Sequence, residues 1–317
     1  MTVKMKIENV LVGSSLSEAS DEVVRAGLAV ARAAGAKLHL VHAFLPQAVY
    51  GGGAPFAAEV MINEVIRGEQ TARRRQLNEQ LARLGVTAGE LGTSLVEMGP
   101  SHRVIVDAAG LCHADLVVVG ATESPVLSKL FGATADRVVR KSTRPVLLVR
   151  GELPVPPKRV LLPVDLSPLS SDALRHGLEL LRTIAPEKVP SLEALLVMTL
   201  LDRQGLAPEV TPEAAEAEVA ERLDRFVAQS SSGPGWSIET KVVLGYVEEE
   251  ILARATELEA DLIVIGTHGR GGFERFLLGS VASGVVRHGK QSVLVIPPEA
   301  ALKEALAHES ELAAVHA

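Results

Sequence analysis

Short apolar, β-branched runs alternate along this chain with longer segments whose apolar positions recur at helical spacing. Val10-Leu11-Val12 opens a strand, and Ser17 with Glu18 and Asp21 begins a helix that runs to about Gly35. Leu38 to Ala43 is a second strand. After a connection carrying Gly51-Gly52-Gly53 and Pro55 comes a charged helix, from about Ala57 to Leu84, with Arg73-Arg74-Arg75 on its solvated face. Ser94 to Met98 is a third strand, and Gly99-Pro100 leads into a helix from Ser101 to about His113. Ala114-Asp115-Leu116-Val117-Val118-Val119-Gly120 is a fourth strand. The helix Ala133–Lys141 and the strand Pro145–Val149 complete the series.

The pattern then starts again. Arg159-Val160-Leu161-Leu162-Pro163-Val164-Asp165-Leu166-Ser167 repeats the stretch from Asn9 to Ser17, and Ala260 to Gly266 repeats Ala114 to Gly120. Gly279-Ser280-Val281-Ala282-Ser283-Gly284-Val285-Val286-Arg287 repeats Gly132 to Arg140. The copies stand about 147 residues apart, too far for a solenoid period. The chain is a duplicated domain, 1–151 and 152–317. The junction from Glu152 to Lys158 is an extended, semi-stiff linker bearing Pro154, Pro156 and Pro157. Strands alternating with helices predict parallel pairing with right-handed crossovers, hence an α/β fold of two five-stranded doubly wound sheets.

Composition narrows the function classes. The chain has 317 residues, 47% hydrophobic and 22% charged, as expected of a soluble globular protein. A net charge of −7 argues against nucleic acid or an anionic membrane as the main partner. One cysteine, Cys112, excludes an internal disulfide framework and thiolate metal clusters, and its helical setting marks it as packed. The first residues, MTVKMKIENV, lack a signal core, and no apolar run reaches membrane length, so the expected location is the cytoplasm.

The stretch most suggestive of chemistry runs from Gly266 to Val286. A strand, Ala260 to Ile265, leads into a loop carrying Gly266, Gly269, Gly271 and Gly272, then Gly279-Ser280 at a helix N-terminus. Glycines let backbone N–H groups turn inward at positive φ, and a first helical turn presents unpaired N–H donors. Ser280 adds a hydroxyl. Phosphate is the natural occupant. No Lys-Ser/Thr follows the glycines, so this is not a P-loop, and the spacing is not the compact dinucleotide fingerprint. Asp165 closes the first strand of the second copy, where a ribose hydroxyl acceptor would stand. Taken alone, Asp165 and Ser167 serve equally as caps of the helix opening at Pro168.

The spacing Gly266-x2-Gly269-x9-Gly279-Ser280 resembles the nucleotide loop of the universal stress protein family, whose ATP-binding members carry G-x2-G-x9-G-S/T. The resemblance spans nearly the whole chain as two tandem copies. It implies adenine nucleotide alpha hydrolase-like domains and ATP, with Mg, as the ligand. It assigns the adenosine portion to Asp165, with Pro163 and Val164 lining the adenine side beside a residue near Met198 to Leu200. Ribose and phosphates fall to Gly266, Gly269, Gly279 and Ser280, with the backbone of Val281. Arg270 and Arg275 are further phosphate candidates, equally readable as solvated loop arginines, and His268 is incidental. The first copy departs from this pattern. Ser15 stands for Asp165, Glu123 stands near Gly269, Ala133 replaces Ser280, and the loop is one residue shorter. Losing a glycine and adding a carboxylate both oppose phosphate binding.

The residues complete no catalytic constellation: no paired carboxylates set with a base, no His/Cys metal spacing and no nucleophile elbow. The expected function is an ATP-binding stress or signalling module with one site in the second copy and a structural first copy. A slow ATPase or phosphotransferase, and an interaction scaffold with a vestigial loop, are the alternatives. In the strand order the family implies, Pro145–Val149 and Ser292–Ile296 lie at sheet edges, both short, apolar and uncharged. Antiparallel pairing of these edges would join the halves as single-domain relatives dimerise, and the same edges are candidates for a homodimer. The protein partner is open.

Overall fold

The computed structural model describes residues 6–46, 57–121, 132–186, 188–199, 212–231, 236–269 and 278–304. The first half runs β1 (Asn9–Gly13), α1 (Asp21–Ala34), β2 (Lys37–Phe44), α2 (Ala57–Arg83), β3 (Leu91–Met98), α3 (Ser101–Leu111), β4 (Leu116–Gly120), α4 (Ala133–Lys141) and β5 (Val146–Val149). The second runs β6 (Arg159–Val164), α5 (Pro168–Ile184), β7 (Ser191–Met198), α6 (Pro212–Ser230), β8 (Ile238–Leu244), α7 (Val247–Glu257), β9 (Leu262–Gly266), α8 (Ser280–His288) and β10 (Ser292–Ile296). All ten strands form one sheet in the order β3-β2-β1-β4-β5-β10-β9-β6-β7-β8.

Within each half every strand pair is parallel. The central strands read as continuous apolar runs because helices cover both faces, so every side chain from Val10 to Val12 is buried. Alternate residues feed two separate cores. Val10, Val12, Leu162 and Val264 face α1, α2, α5 and α6, whereas Leu11, Leu161 and Ile263 face α3, α4, α7 and α8. Helix α1 approaches closely enough that a Cβ on Gly27 would lie 2.3 Å from Val12 Cγ2, and Gly177 on α5 repeats this against Val264 at 2.5 Å.

The halves join through β5 and β10, the one antiparallel pair. Leu147 pairs with Leu294, flanked by Leu148 with Val293 and Val146 with Val295. Leu147 and Leu294 occupy the same place in their copies, so a pseudo-twofold axis passes through their pairing. The linker is not a loose tether. Leu153 is buried and, with Val155 and Pro157, lines a small apolar gap against Ile7, Leu147 and Leu180.

Two boundaries differ most from the sequence expectation. The third strand begins at Leu91 rather than Ser94, and the reason is Gly92: a Cβ there would lie 2.4 Å from the His39 ring. The glycine that reads as a strand break admits a neighbouring imidazole. After Ser17, which makes no side-chain cap, a 3-10 turn, Glu18–Ser20, precedes α1.

Candidate functional site

In each half the strand order reverses beside the first strand, between β2 and β4 around β1 and between β7 and β9 around β6. Crevices at such points lie beyond the strands' carboxyl ends. In the second half, β6 delivers Pro163 and buried Val164 to this end, and the chain then turns through Leu166 in a left-handed conformation, φ 63°. A leucine adopts that region only under constraint. Asp165 supplies part of it, since its Oδ1 accepts the Ser167 N–H at 2.9 Å. Ser167 in turn caps α5 by accepting the Ser170 N–H, with Pro168 in the first turn. The capping role is thus carried mainly by Ser167. One Asp165 oxygen holds the turn while the other, Oδ2, faces Gly269.

That approach is close: a Cβ on Gly269 would lie 2.3 Å from Asp165 Oδ2. At the far end of the loop, the Gly279 N–H donates to the Thr267 carbonyl at 2.8 Å. A Cβ on Gly279 would stand 3.2 Å from that same carbonyl, and one on Gly266 would lie 2.9 Å from Ala173. The glycines are therefore required by closeness. The expected positive φ is not found: Gly279 has φ −56°, and neither Gly266 nor Gly269 is in the left-handed region. Among the described residues, the ends of the loop are pinned together without a left-handed glycine.

Gly279 stands at the N-cap of α8 with no side-chain cap, and Ser280 opens the helix exposed to solvent. The first intrahelical bond runs from the Ser283 N–H to the Gly279 carbonyl, 2.8 Å. Helix geometry leaves the N–H groups of Ser280, Val281 and Ala282 without intrahelical acceptors, facing outward at the positive end of the helix dipole. Asp165, Gly266, Gly269, Gly279, Ser280 and Val281 are thus gathered at one end of the sheet. Pro163 and Val164 lie behind them, and Met198 ends β7 buried. Arg270, Gly271, Gly272, Arg275 and Leu200 fall outside the described residues, as does Glu123 of the first half.

Sequence reasoning passed over Thr267 and read His268 as incidental. The Thr267 carbonyl ties Gly279, and its Oγ1 hydrogen-bonds His268 Nδ1 at 2.9 Å, leaving His268 Nε2 buried without a partner among the described residues. The only sequence signal was their place between two glycines at a strand end.

The equivalent end of the first half is differently built. Ser14 Oγ donates to Gln80 Oε1 at 2.7 Å, Gln80 donates to Asp21 at 2.7 Å, and Arg83 binds Asp21 through two nitrogens at 3.0 and 2.8 Å. Burial works against the Asp21 charge, but hydrogen bonds from Arg83 and Gln80 outweigh it and lower its pKa. Ser15, in the place of Asp165, bonds to Ser17 at 2.8 Å. A cavity of about 190 Å³ remains, lined by Gly13, Ser15, His42, Ser101, Gly120 and Thr134 among others, with no carboxylate, lysine or arginine among the described residues that line it. His42 there donates from Nδ1 to the Ser14 carbonyl at 2.9 Å, which fixes Nδ1 as a protonated nitrogen, and burial lowers its pKa.

Comparison with known proteins accords with this geometry. The sequence pattern described as Universal stress protein family matches residues 6–150 and again 156–297. A universal stress protein of Mycolicibacterium smegmatis is 30% identical over 304 residues, covering 91% of this chain and 97% of its own. The crystal structure of a universal stress protein from Archaeoglobus fulgidus superposes with a TM-score of 0.61 at 17% identity, over 91% of this chain and 98% of that one. A universal stress protein solved in complex with cAMP matches 45% of this chain at 25% identity, TM-score 0.31. The chain belongs to the universal stress protein family, once in each half.

Proposed function

We propose that this chain is an ATP-binding stress or signalling module with a single adenine-nucleotide site, in the second of two domains divided at Gly151 and Glu152. The observation that carries this reading is the gathering of Asp165, Gly269 and the Gly279–Val281 helix start at one crevice, against Ser15 and Ala133 at the matching places of the first half. Asp165 offers a carboxylate to ribose hydroxyls, and Pro163 and Val164 give an apolar wall for adenine. Gly266, Gly269, Gly279, Ser280 and Val281 offer backbone and hydroxyl donors to phosphates, with Arg270 as a further candidate cation. ATP would carry Mg on its phosphates. A Cβ on Gly269 would intrude on Asp165 Oδ2, so a side chain there would displace the carboxylate that this reading assigns to ribose.

In the first half the Ser14–Gln80–Asp21–Arg83 network satisfies the crevice floor from within the fold, so the reading gives that half a structural role. The test is equilibrium dialysis of ATP against the full chain. One nucleotide per chain is expected, and two equivalent sites, or none, would overturn the reading. Product analysis of the same samples separates retained ATP from released ADP.

A further inference from the structure

Both ends of helix α8, whose N-terminus is the phosphate end of the site proposed above, are held by arginines of the other half. Arg140, in the last turn of α4, donates from Nη2 to Ser283 Oγ at 3.2 Å. Its guanidinium is oriented for this by Asp136, one turn earlier, through Nε at 2.9 Å and Nη2 at 3.1 Å. Ser283 is the residue whose N–H closes the first turn of α8 onto Gly279. Arg140 therefore grips the side chain of the residue that fixes the direction of the N–H groups of Ser280 to Ala282.

At the other end stands Arg150, directly after β5. Its Nη2 donates to the Val286 carbonyl at 2.6 Å, its Nη1 to the Gln291 carbonyl at 3.4 Å, and its backbone N–H to buried Ser292 Oγ at 3.0 Å. Val286 lies in the last turn of α8, where carbonyls lack intrahelical donors and a cation is favoured. Burial pulls the Arg150 pKa down, so this cation sits in a partly desolvated place where its hydrogen bonds count for more.

The same residues are not repeated in the other direction. By the repeat, Arg287 corresponds to Arg140, Asp136 to Ser283 and Pro297 to Arg150. Proline has no donor to return, Arg287 is exposed, and Asp136 is already engaged by Arg140. The first half supports the phosphate helix of the second through two arginines that the repeat does not carry back to α4.

We infer that Arg140 and Arg150 are positioning residues for the nucleotide site, acting across the pseudo-twofold junction through α8, so that the nucleotide-free half is a working part of the binding half. This rests on the site proposed above. The test uses the full chain carrying Arg140→Ala and Arg150→Ala, with two readouts: ATP affinity, and amide hydrogen exchange along α8. The double variant is expected to bind ATP about tenfold more weakly and to exchange the Ser283 to Val286 amides at least about tenfold faster. Amides of Val12 and Val118 should keep their protection, and Arg140→Lys should recover part of the affinity. Wild-type binding with unchanged affinity and exchange in the double variant overturns the inference. A wild-type chain that binds no ATP overturns instead the nucleotide reading, and the exchange rates alone then decide whether the arginines hold α8. Should the double variant lose its fold, Ser283→Ala removes only the acceptor. About threefold weaker binding supports the Arg140 contact, and no change overturns it.

Discussion

The two halves share a strand order, left-handed leucines at Leu16 and Leu166, and close helix–strand contacts at Gly27 and Gly177, yet their crevices are finished in opposite ways. The first turns its polar groups inward: Ser14, Ser20, Asp21 and Gln80 are all buried and bonded to one another. The second leaves Asp165 Oδ2 against a glycine and an uncapped helix start beside it. A duplicated fold can keep its strand order while the polar groups at the two crevices are arranged differently.

The largest expected effect tests the junction that keeps the halves together. Val295 is 1% exposed and paired with Val146, so Val295→Asp buries an unpaired charge and should cost about 3–5 kcal/mol. A urea midpoint unmoved by this change would contradict the shared sheet.

Next comes the difference itself. Gly279→Val places a branched side chain where even a Cβ stands 3.2 Å from the Thr267 carbonyl, at the mouth of the helix start. ATP binding should be lost in calorimetry, and thermal unfolding should shift downward as the Thr267 carbonyl gives way. Conversely, Ser15→Asp with Ala133→Ser restores two residue types in the first half without its loop. Dialysis should still return one nucleotide per chain, and a second would show that these two residues suffice.

Asp165→Ala should weaken ATP binding by about 1–3 kcal/mol, the scale of a hydrogen bond to a charged group, because helix donors remain. Wild-type affinity in this variant would remove Asp165 from the site.

The smallest effect concerns the helical segment 299–304. Hydrogen bonding from Lys303 at 2.7 Å, opposed by burial and aided by Arg175 at 2.8 Å, brings the Glu299 pKa to about 2 from an ordinary 4.5. The folded value lies below the unfolded one, so this stabilisation is present above about pH 4.5 and is lost as pH falls toward 2. Lys303 is half exposed, so Glu299→Gln should cost under about 1 kcal/mol at pH 7 and flatten the acid limb of the stability curve.

Much of the fold was legible because burial on both faces writes strands as unbroken apolar runs, and because the second copy checks the first. Gly92 misled for the opposite reason, since its missing side chain serves the His39 ring and leaves no local trace. At the site, residue types and spacing were legible, but the glycine conformations were not. Closeness to Asp165, Ala173 and the Thr267 carbonyl depends on partners about 100 residues away or across a loop, which local rules cannot see. Arg140 and Arg150 were invisible for the same reason: each reads as a solvated charge until the other half is in place.

The antiparallel pairing of Leu147 with Leu294 also changes how the protein answers to dilution. Subunits joined only by such strands would separate as their concentration fell, by mass action. Here both strands belong to one polypeptide, so the pairing is unimolecular and its apparent strength is set by the tether. Thermal unfolding should therefore be independent of protein concentration. Each half is guaranteed one unlike partner in every molecule, which leaves the two sequences free to specialise without risk of forming the wrong pair.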